Sequence, residues 1–166
     1  MHVGIRPTQN KVRKAIFDIL GDIAGLSFLE LFAGSGAVGF EAASRGAAEI
    51  TLVEDNRNAL KAIKDNIGSF DITYCNLYSF DAERAIQLFS KDKRRFDIIF
   101  MDPPYYVGMS KKTLQMLDGY DILAPNGLLV VQHFKKDELP DKSESLELIK
   151  RSKYGDTMLC VYRKVE

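Results

Sequence analysis

Two short runs of this 166-residue chain hold groups whose types and spacing could do chemistry. Gly34-Ser35-Gly36-Ala37-Val38-Gly39 has the spacing G-x-G-x-x-G, and Glu54 stands 20 residues beyond Gly34. Glycines allow a tight turn and a close ligand approach, and a helix N-terminus behind the turn can receive an anionic group. An acid at the end of the following strand accepts hydrogen bonds from both hydroxyls of a ribose. Together these residues describe a nucleoside site. The plainer alternative is a turn needed for packing and a solvated strand end. The second run is Asp102-Pro103-Pro104-Tyr105. An exocyclic amine on an aromatic base is a poor nucleophile, because its lone pair is delocalised into the ring. A carboxylate and a backbone carbonyl can hold its N–H groups and favour the pyramidal nitrogen. Prolines fix such a carbonyl and remove competing N–H donors. Tyr105 offers a face on which a base can stack. Without a partner site, the same residues would be a Pro-Pro turn capping a buried strand.

NAD, FAD and S-adenosylmethionine all suit the glycine turn. Three features favour S-adenosylmethionine. Glu30 lies four residues before Gly34, where a carboxylate could face the methionine ammonium directly or through water. The other two are a carboxyl-terminal hairpin and the Asp102 run itself. No Walker phosphate loop occurs, and two His and two Cys residues (Cys75 and Cys160) show no metal-ligand spacing. Both cysteines read as free thiols in strands, which fits a reducing cytoplasm. Two other readings stay open. The Asp102 run suits a DNA adenine-N6 or cytosine-N4 methyltransferase, although a target-recognition domain has no room here. A NAD-dependent oxidoreductase would need a hydride-transfer acid set that is not apparent.

These residues need elements to position them. Val12, Ile16, Ile19, Leu20 and Ile23 recur at helical spacing, which predicts a helix over Thr8–Leu20 with Thr8 at its start. Strands are expected at Phe28–Ala33, Glu49–Glu54, within Asp71–Tyr78, and at Phe96–Met101 and Leu128–His133. Helices are expected at Ala37–Arg45, Asn56–Ile67, from Asp81 as a cap to about Ser90, and at Lys111–Leu123. Phe96–Met101 is nearly all apolar, as a buried parallel strand should be. Leu146–Lys153 and Met158–Lys164 flank Tyr154-Gly155-Asp156 and read as a hairpin. The plan is an α/β, Rossmann-like class I methyltransferase fold: a seven-stranded, mostly parallel sheet, one antiparallel strand, helices on both faces. Residues 1–27 would be an amino-terminal segment and helix packed on the core, and 28–166 the catalytic part of one domain.

Apolar residues make up 46% of the chain, which excludes intrinsic disorder, and the apolar runs are too short to span a membrane. The formal net charge is zero, which argues against coating nucleic acid by bulk charge. The balance is uneven: residues 1–83 are net acidic and residues 84–166 net basic. His133, at the end of its strand, reads as structural. Lys91, Lys93, Arg94 and Arg95 fall at the amino end of a strand, away from the site.

The chain resembles the RsmD-type family of bacterial ribosomal RNA guanine-N2 methyltransferases. The resemblance rests on Arg6-Pro7-Thr8, Val12 to Leu20, Leu29 to Gly39, Glu41-Ala42, Ser44-Arg45-Gly46-Ala47, Val53-Glu54 and Asp102-Pro103-Pro104-Tyr105. It implies S-adenosylmethionine as donor, S-adenosylhomocysteine as product, and guanine N2 of 16S rRNA, free or in an assembling 30S subunit, as acceptor. It implies Glu30, Phe32, Ala33, Gly34, Ser35, Gly36, Glu54 and Asp81 at the cofactor, with Asp81 toward the adenine. Asp102, Pro103, Pro104 and Tyr105 would be catalytic, with Tyr106 at the mouth. Arg6, Thr8, Lys11, Arg13, Lys14, Lys111 and Lys112 are candidates for RNA contact. A metal-free, cytoplasmic monomer is expected. Family members usually carry a β-hairpin and basic segment before Arg-Pro-Thr, where this chain has five residues. They often have an acid and Arg where Asn10 and Lys11 stand, and Asp in place of Glu30.

Overall fold

The computed structural model describes residues 7–69, 74–105 and 108–165. In chain order the elements are α1 (Pro7–Leu20), β1 (Ser27–Leu31), α2 (Ala37–Ser44), β2 (Glu49–Val53), α3 (Arg57–Ser69), β3 (Cys75–Tyr78), α4 (Ala82–Lys91), β4 (Phe96–Met101), α5 (Met109–Gly119), β5 (Leu123–Phe134), β6 (Leu146–Tyr154) and β7 (Thr157–Lys164). One sheet holds all seven strands in the order β3-β2-β1-β4-β5-β7-β6. The β1–β2, β1–β4, β2–β3 and β4–β5 pairings are parallel, and β7 is antiparallel to both β5 and β6. The expected mostly parallel sheet with one reversed strand is therefore present, and β6 runs in the same direction as β5.

Alternation along the central strands divides the core in two. Phe28, Ile98 and Val130 pack with Val12, Ile16 and Phe17 of α1, Ala42 of α2 and Ile63 of α3. Leu29, Ile99 and Leu129 pack with Ala85, Ile86 and Phe89 of α4 and Leu114 and Leu117 of α5. Burial on both faces is why these strands read as apolar runs rather than alternating ones.

Several boundaries differ from the sequence reading for local reasons. β1 stops at Leu31, because Phe32 turns to φ 56° and leaves the extended region. α1 includes Pro7, so Thr8 lies inside the first turn rather than before it. Asn56 precedes α3, its side-chain oxygen accepting the Ala59 N–H at 3.0 Å. α5 ends at Gly119, and Leu123, expected in that helix, pairs with Phe96 as the start of β5. The Pro125-Asn126-Gly127 turn is thus an irregularity within β5, with Asn126 at φ 62°.

His133 is buried on the α4–α5 side of β5. Its Nδ1 lies 2.9 Å from the Phe134 carbonyl oxygen and its Nε2 3.3 Å from Cys160 Sγ. A carbonyl only accepts, so Nδ1 carries the proton and Nε2 accepts from the thiol. Burial lowers the imidazole pKa. The residue joins β5 to β7, a structural role. Arg94 pairs with Glu49 and covers the Phe96 ring, and Arg95 pairs with Asp121, so both brace the amino end of the sheet.

Candidate active site

The β1–α2 connection is built from conformations and contacts that glycine permits. Gly34 and Gly36 have φ of 59° and 79°. A Cβ on Gly36 would also stand 2.7 Å from the Phe40 ring. Gly39 is helical, and its role is close packing: a Cβ there would meet Leu52 at 2.5 Å and the Glu30 carboxylate at 3.1 Å. The third glycine therefore lets α2 sit against β1 and β2.

Two acids hold this turn in place. Glu30 is 3% exposed, and its Oε1 accepts the Gly39 N–H at 2.9 Å, one of the free donors of the first turn of α2. Burial pushes Glu30 up to about 8; the Gly39 hydrogen bond opposes that shift, while the Asp102 and Glu54 charges add to it. Glu54 Oε1 accepts the Gly34 N–H at 2.7 Å, and its Oε2 accepts the N–H groups of Asp55 and Asn56 at 3.0 and 2.9 Å.

The Asp102 run sits at the carboxyl end of β4, beside β1, at the point where strand order reverses. Burial pushes the Asp102 carboxyl up to about 7. Two cavities meet there. The first, about 350 Å³, is walled by Glu30, Phe32 to Ser35 and Arg13, among others. The second, about 870 Å³, runs past Glu54, Pro103, Pro104 and Tyr105 to the β6–β7 turn. Gln9, Phe32, Asp102 and Gln132 line both. Volumes of this order suit small-molecule sites. Tyr105 is 54% exposed, and its ring lies 5.7 Å from that of Phe134 at 33°.

The structure thus brings together Glu30, Phe32, Ala33, Gly34, Ser35, Glu54 and the Asp102 run, with Gly36 shaping the turn. Asp81 is exposed and caps α4, its Oδ1 accepting the Arg84 N–H at 2.8 Å. Arg13 lines the first cavity and pairs with Glu41 at 3.1 Å. Lys11 and Lys111 are exposed, Lys14 pairs with Asp18, and Lys112 lies 3.6 Å from Glu83. Arg6 and Tyr106 lie outside the described residues, as does the side chain of Thr8. Sequence reasoning missed Gln132, Phe134 and the Gly155–Thr157 turn as site walls. Gln132 had a signal: it is the polar interruption near the end of the apolar run Leu128–Val131.

No described helix is long and apolar enough to cross a membrane. No cluster of three or more metal-ligating side chains occurs among the described residues.

A seven-stranded sheet in which β7 alone is reversed, a glycine turn held by acids of β1 and β2, and an Asp-Pro-Pro-Tyr run on β4 define a class I S-adenosylmethionine-dependent methyltransferase. Comparison with known proteins agrees. A conserved protein of Streptococcus pyogenes superposes with a TM-score of 0.83 at 35% identity, over 92% of this chain and 95% of its own. The Bacillus subtilis protein YlbH, a proposed rRNA methyltransferase, is 36% identical over 96% of this chain and 88% of its own length. Ribosomal RNA small subunit methyltransferase D of Escherichia coli is 30% identical over 97% of this chain and 80% of its own. The family described as Conserved hypothetical protein 95 matches residues 2–163, and the chain belongs to that family.

Proposed function

We propose that the protein transfers a methyl group from S-adenosylmethionine to the exocyclic N2 amine of a guanine in small-subunit (16S) ribosomal RNA. The observation that carries this reading is the meeting of two cavities at Asp102, one beneath the glycine turn and one open to Tyr105. The names of the relatives point the same way.

The residues present fit the donor. Glu54 faces the second cavity at the end of β2, where a ribose would be held, and Glu30 faces the first, suited to an ammonium. The backbone of Phe32 to Gly36 walls the space between. Asp81, already the cap of α4, would meet the adenine edge. Arg13 is placed to offset the carboxylate of a methionine. When bound, S-adenosylmethionine supplies a methyl group activated on a sulfonium.

The rest is positioning by the chain. The Asp102 carboxylate and the Pro103 carbonyl accept the two N–H groups of the target amine. The Tyr105 ring covers one face of the base. Asp102 acts as an acceptor rather than a strong base, because the amine proton becomes acidic once the nitrogen is alkylated. Lys11, Lys14, Lys111 and Lys112, with Arg6 and Thr8, would steady phosphates around the mouth. The same reading takes the protein as one catalytic domain acting as a cytoplasmic monomer, without a metal, on rRNA or an assembling 30S particle.

The test is transfer of labelled methyl to unmethylated 16S rRNA, 30S particles and DNA, followed by mass mapping of the modified nucleotide. N2-methylguanine in the rRNA is expected. Preferential methylation of adenine in DNA would overturn the reading.

A further inference from the structure

Holding a guanine by its N2 amine leaves two polar groups of the same edge to be satisfied. N1–H is a donor and O6 an acceptor, side by side next to N2. Left unpaired in a closed pocket, each would cost more than a lost hydrogen bond. The complementary group offers one acceptor and one donor at the spacing of a carboxamide.

The sheet places such a group beside Asp102. Met101 of β4 pairs with Val131 of β5, so Asp102 and Gln132 leave neighbouring strands at the same level. They also leave on the same side. Leu128 and Val130 belong to the core facing α1, and Leu129 and Val131 to the core facing α4 and α5. Strand alternation therefore turns Gln132 toward α1, with Phe134 next on that face. Gln132 lines both cavities, as Asp102 does. It is half-buried on a strand hydrogen-bonded on both sides, pairing with Leu159 of β7, so its backbone is rigid. Gln9, the other amide shared by the two cavities, stands on an exposed position of α1. A reader of base identity is best carried on the rigid element.

We propose that Gln132 is the specificity-determining residue of the acceptor site, its carboxamide accepting guanine N1–H and donating to O6 while Asp102 takes N2. The assignment rests on the guanine-N2 reading above. It makes Gln132 a reader of the base and not part of the methyl-transfer chemistry.

The discriminating substrate is 2-aminopurine, which keeps the N2 amine but lacks both N1–H and O6. Once the target nucleotide is mapped, 16S rRNA is ligated around a synthetic segment carrying guanosine or 2-aminopurine there, and presented free and as reconstituted 30S particles. The unsubstituted protein is expected to prefer guanosine by at least about tenfold in kcat/KM, since two hydrogen bonds are at stake. Gln132→Met keeps the length without an amide and should bring the ratio close to one, a loss of preference that a change in S-adenosylmethionine Kd, measured by calorimetry, cannot produce because both RNAs share the donor. Gln132→Asn, which draws the amide back by one methylene, should collapse the ratio in the same way and serves if the first variant folds poorly. Variants that keep the original preference overturn the role of Gln132. Failure of the unsubstituted protein to methylate either RNA, while it methylates DNA, overturns the guanine reading and this assignment with it.

Discussion

The Glu54 carboxylate accepts the Gly34 N–H at 2.7 Å, so the acid that would hold a ribose also holds the glycine turn. Its second oxygen accepts two further N–H groups, those of Asp55 and Asn56. Glu54→Ala should therefore act twice. It is expected to raise the S-adenosylmethionine Kd at least about tenfold and to destabilise the free protein by about 1 kcal/mol, since only the Gly34 donor is sheltered from water. Calorimetry and thermal melts check the two effects separately. An unchanged Kd would remove Glu54 from the cofactor site.

Glu30 gives a pH dependence whose sign follows from its burial. Its pKa rises from 4.5 to about 8 in the fold, so the folded state holds this proton more tightly than the unfolded chain. The resulting stabilisation is full below about pH 4.5 and is lost as pH rises to about 8. The melting temperature of Glu30→Gln should fall less between pH 5 and 8 than that of the parent. A cationic ligand favours ionised carboxylates, so S-adenosylmethionine binding near pH 7 should release protons. Calorimetry in two buffers of different ionisation heat measures that release; equal apparent heats would sink the idea.

An ionised Asp102 accepts hydrogen bonds from an amine more strongly than the protonated acid does. With its carboxyl pushed up to about 7, kcat/KM should rise with pH and level off above that value. Asp102→Asn should leave S-adenosylmethionine binding intact, slow transfer by roughly 10²- to 10⁴-fold, and erase the inflection. Single-turnover rates across pH 5.5–9 test both, and full activity of the variant contradicts the assignment.

Tyr105 and Phe134 form an aromatic wall at the mouth, with ring centroids 5.7 Å apart. Stacking is worth roughly 1–3 kcal/mol per base, so Tyr105→Ala should cost about 5- to 150-fold in kcat/KM with RNA. Tyr105→Phe should keep most of the activity, because the ring and not the hydroxyl makes the contact. Both should bind S-adenosylmethionine as the parent does. Equal losses in the two variants would shift the role from the ring to the hydroxyl.

The sheet and the glycine turn with its acids were legible because local rules and tertiary needs coincide there. Gly34 and Gly36 adopt positive φ, which glycine takes most readily, and Gly36 also leaves room for Phe40; Asp81 does cap α4, and Phe96–Met101 is apolar because both its faces are covered. The acceptor half was less legible, since it depends on register. Only the pairing of Met101 with Val131 puts Gln132 beside Asp102, and only the pairing of Phe134 with Thr157 brings the β6–β7 turn to the mouth. The surroundings of Arg13 were hidden for a similar reason. Helical spacing marks it as polar, but only the packing of α1 beside α2 shows that it meets Glu41. The long α5 expected to Leu123 failed where a strand pairing overrode helical periodicity.

The reversed strand β7 has an evolutionary consequence. Because it runs against β5 and β6, the tight turn at Gly155 and Asp156 arrives at the same rim as the Asp102 run. A surface hairpin tip tolerates insertion at small cost, since lengthening a loop is entropically cheap. The donor side, pinned by Glu30, Glu54 and the glycines, has no such latitude. The fold thus joins a fixed inner chamber to an adjustable lip, and the lip can be reshaped without disturbing the glycine turn beneath it.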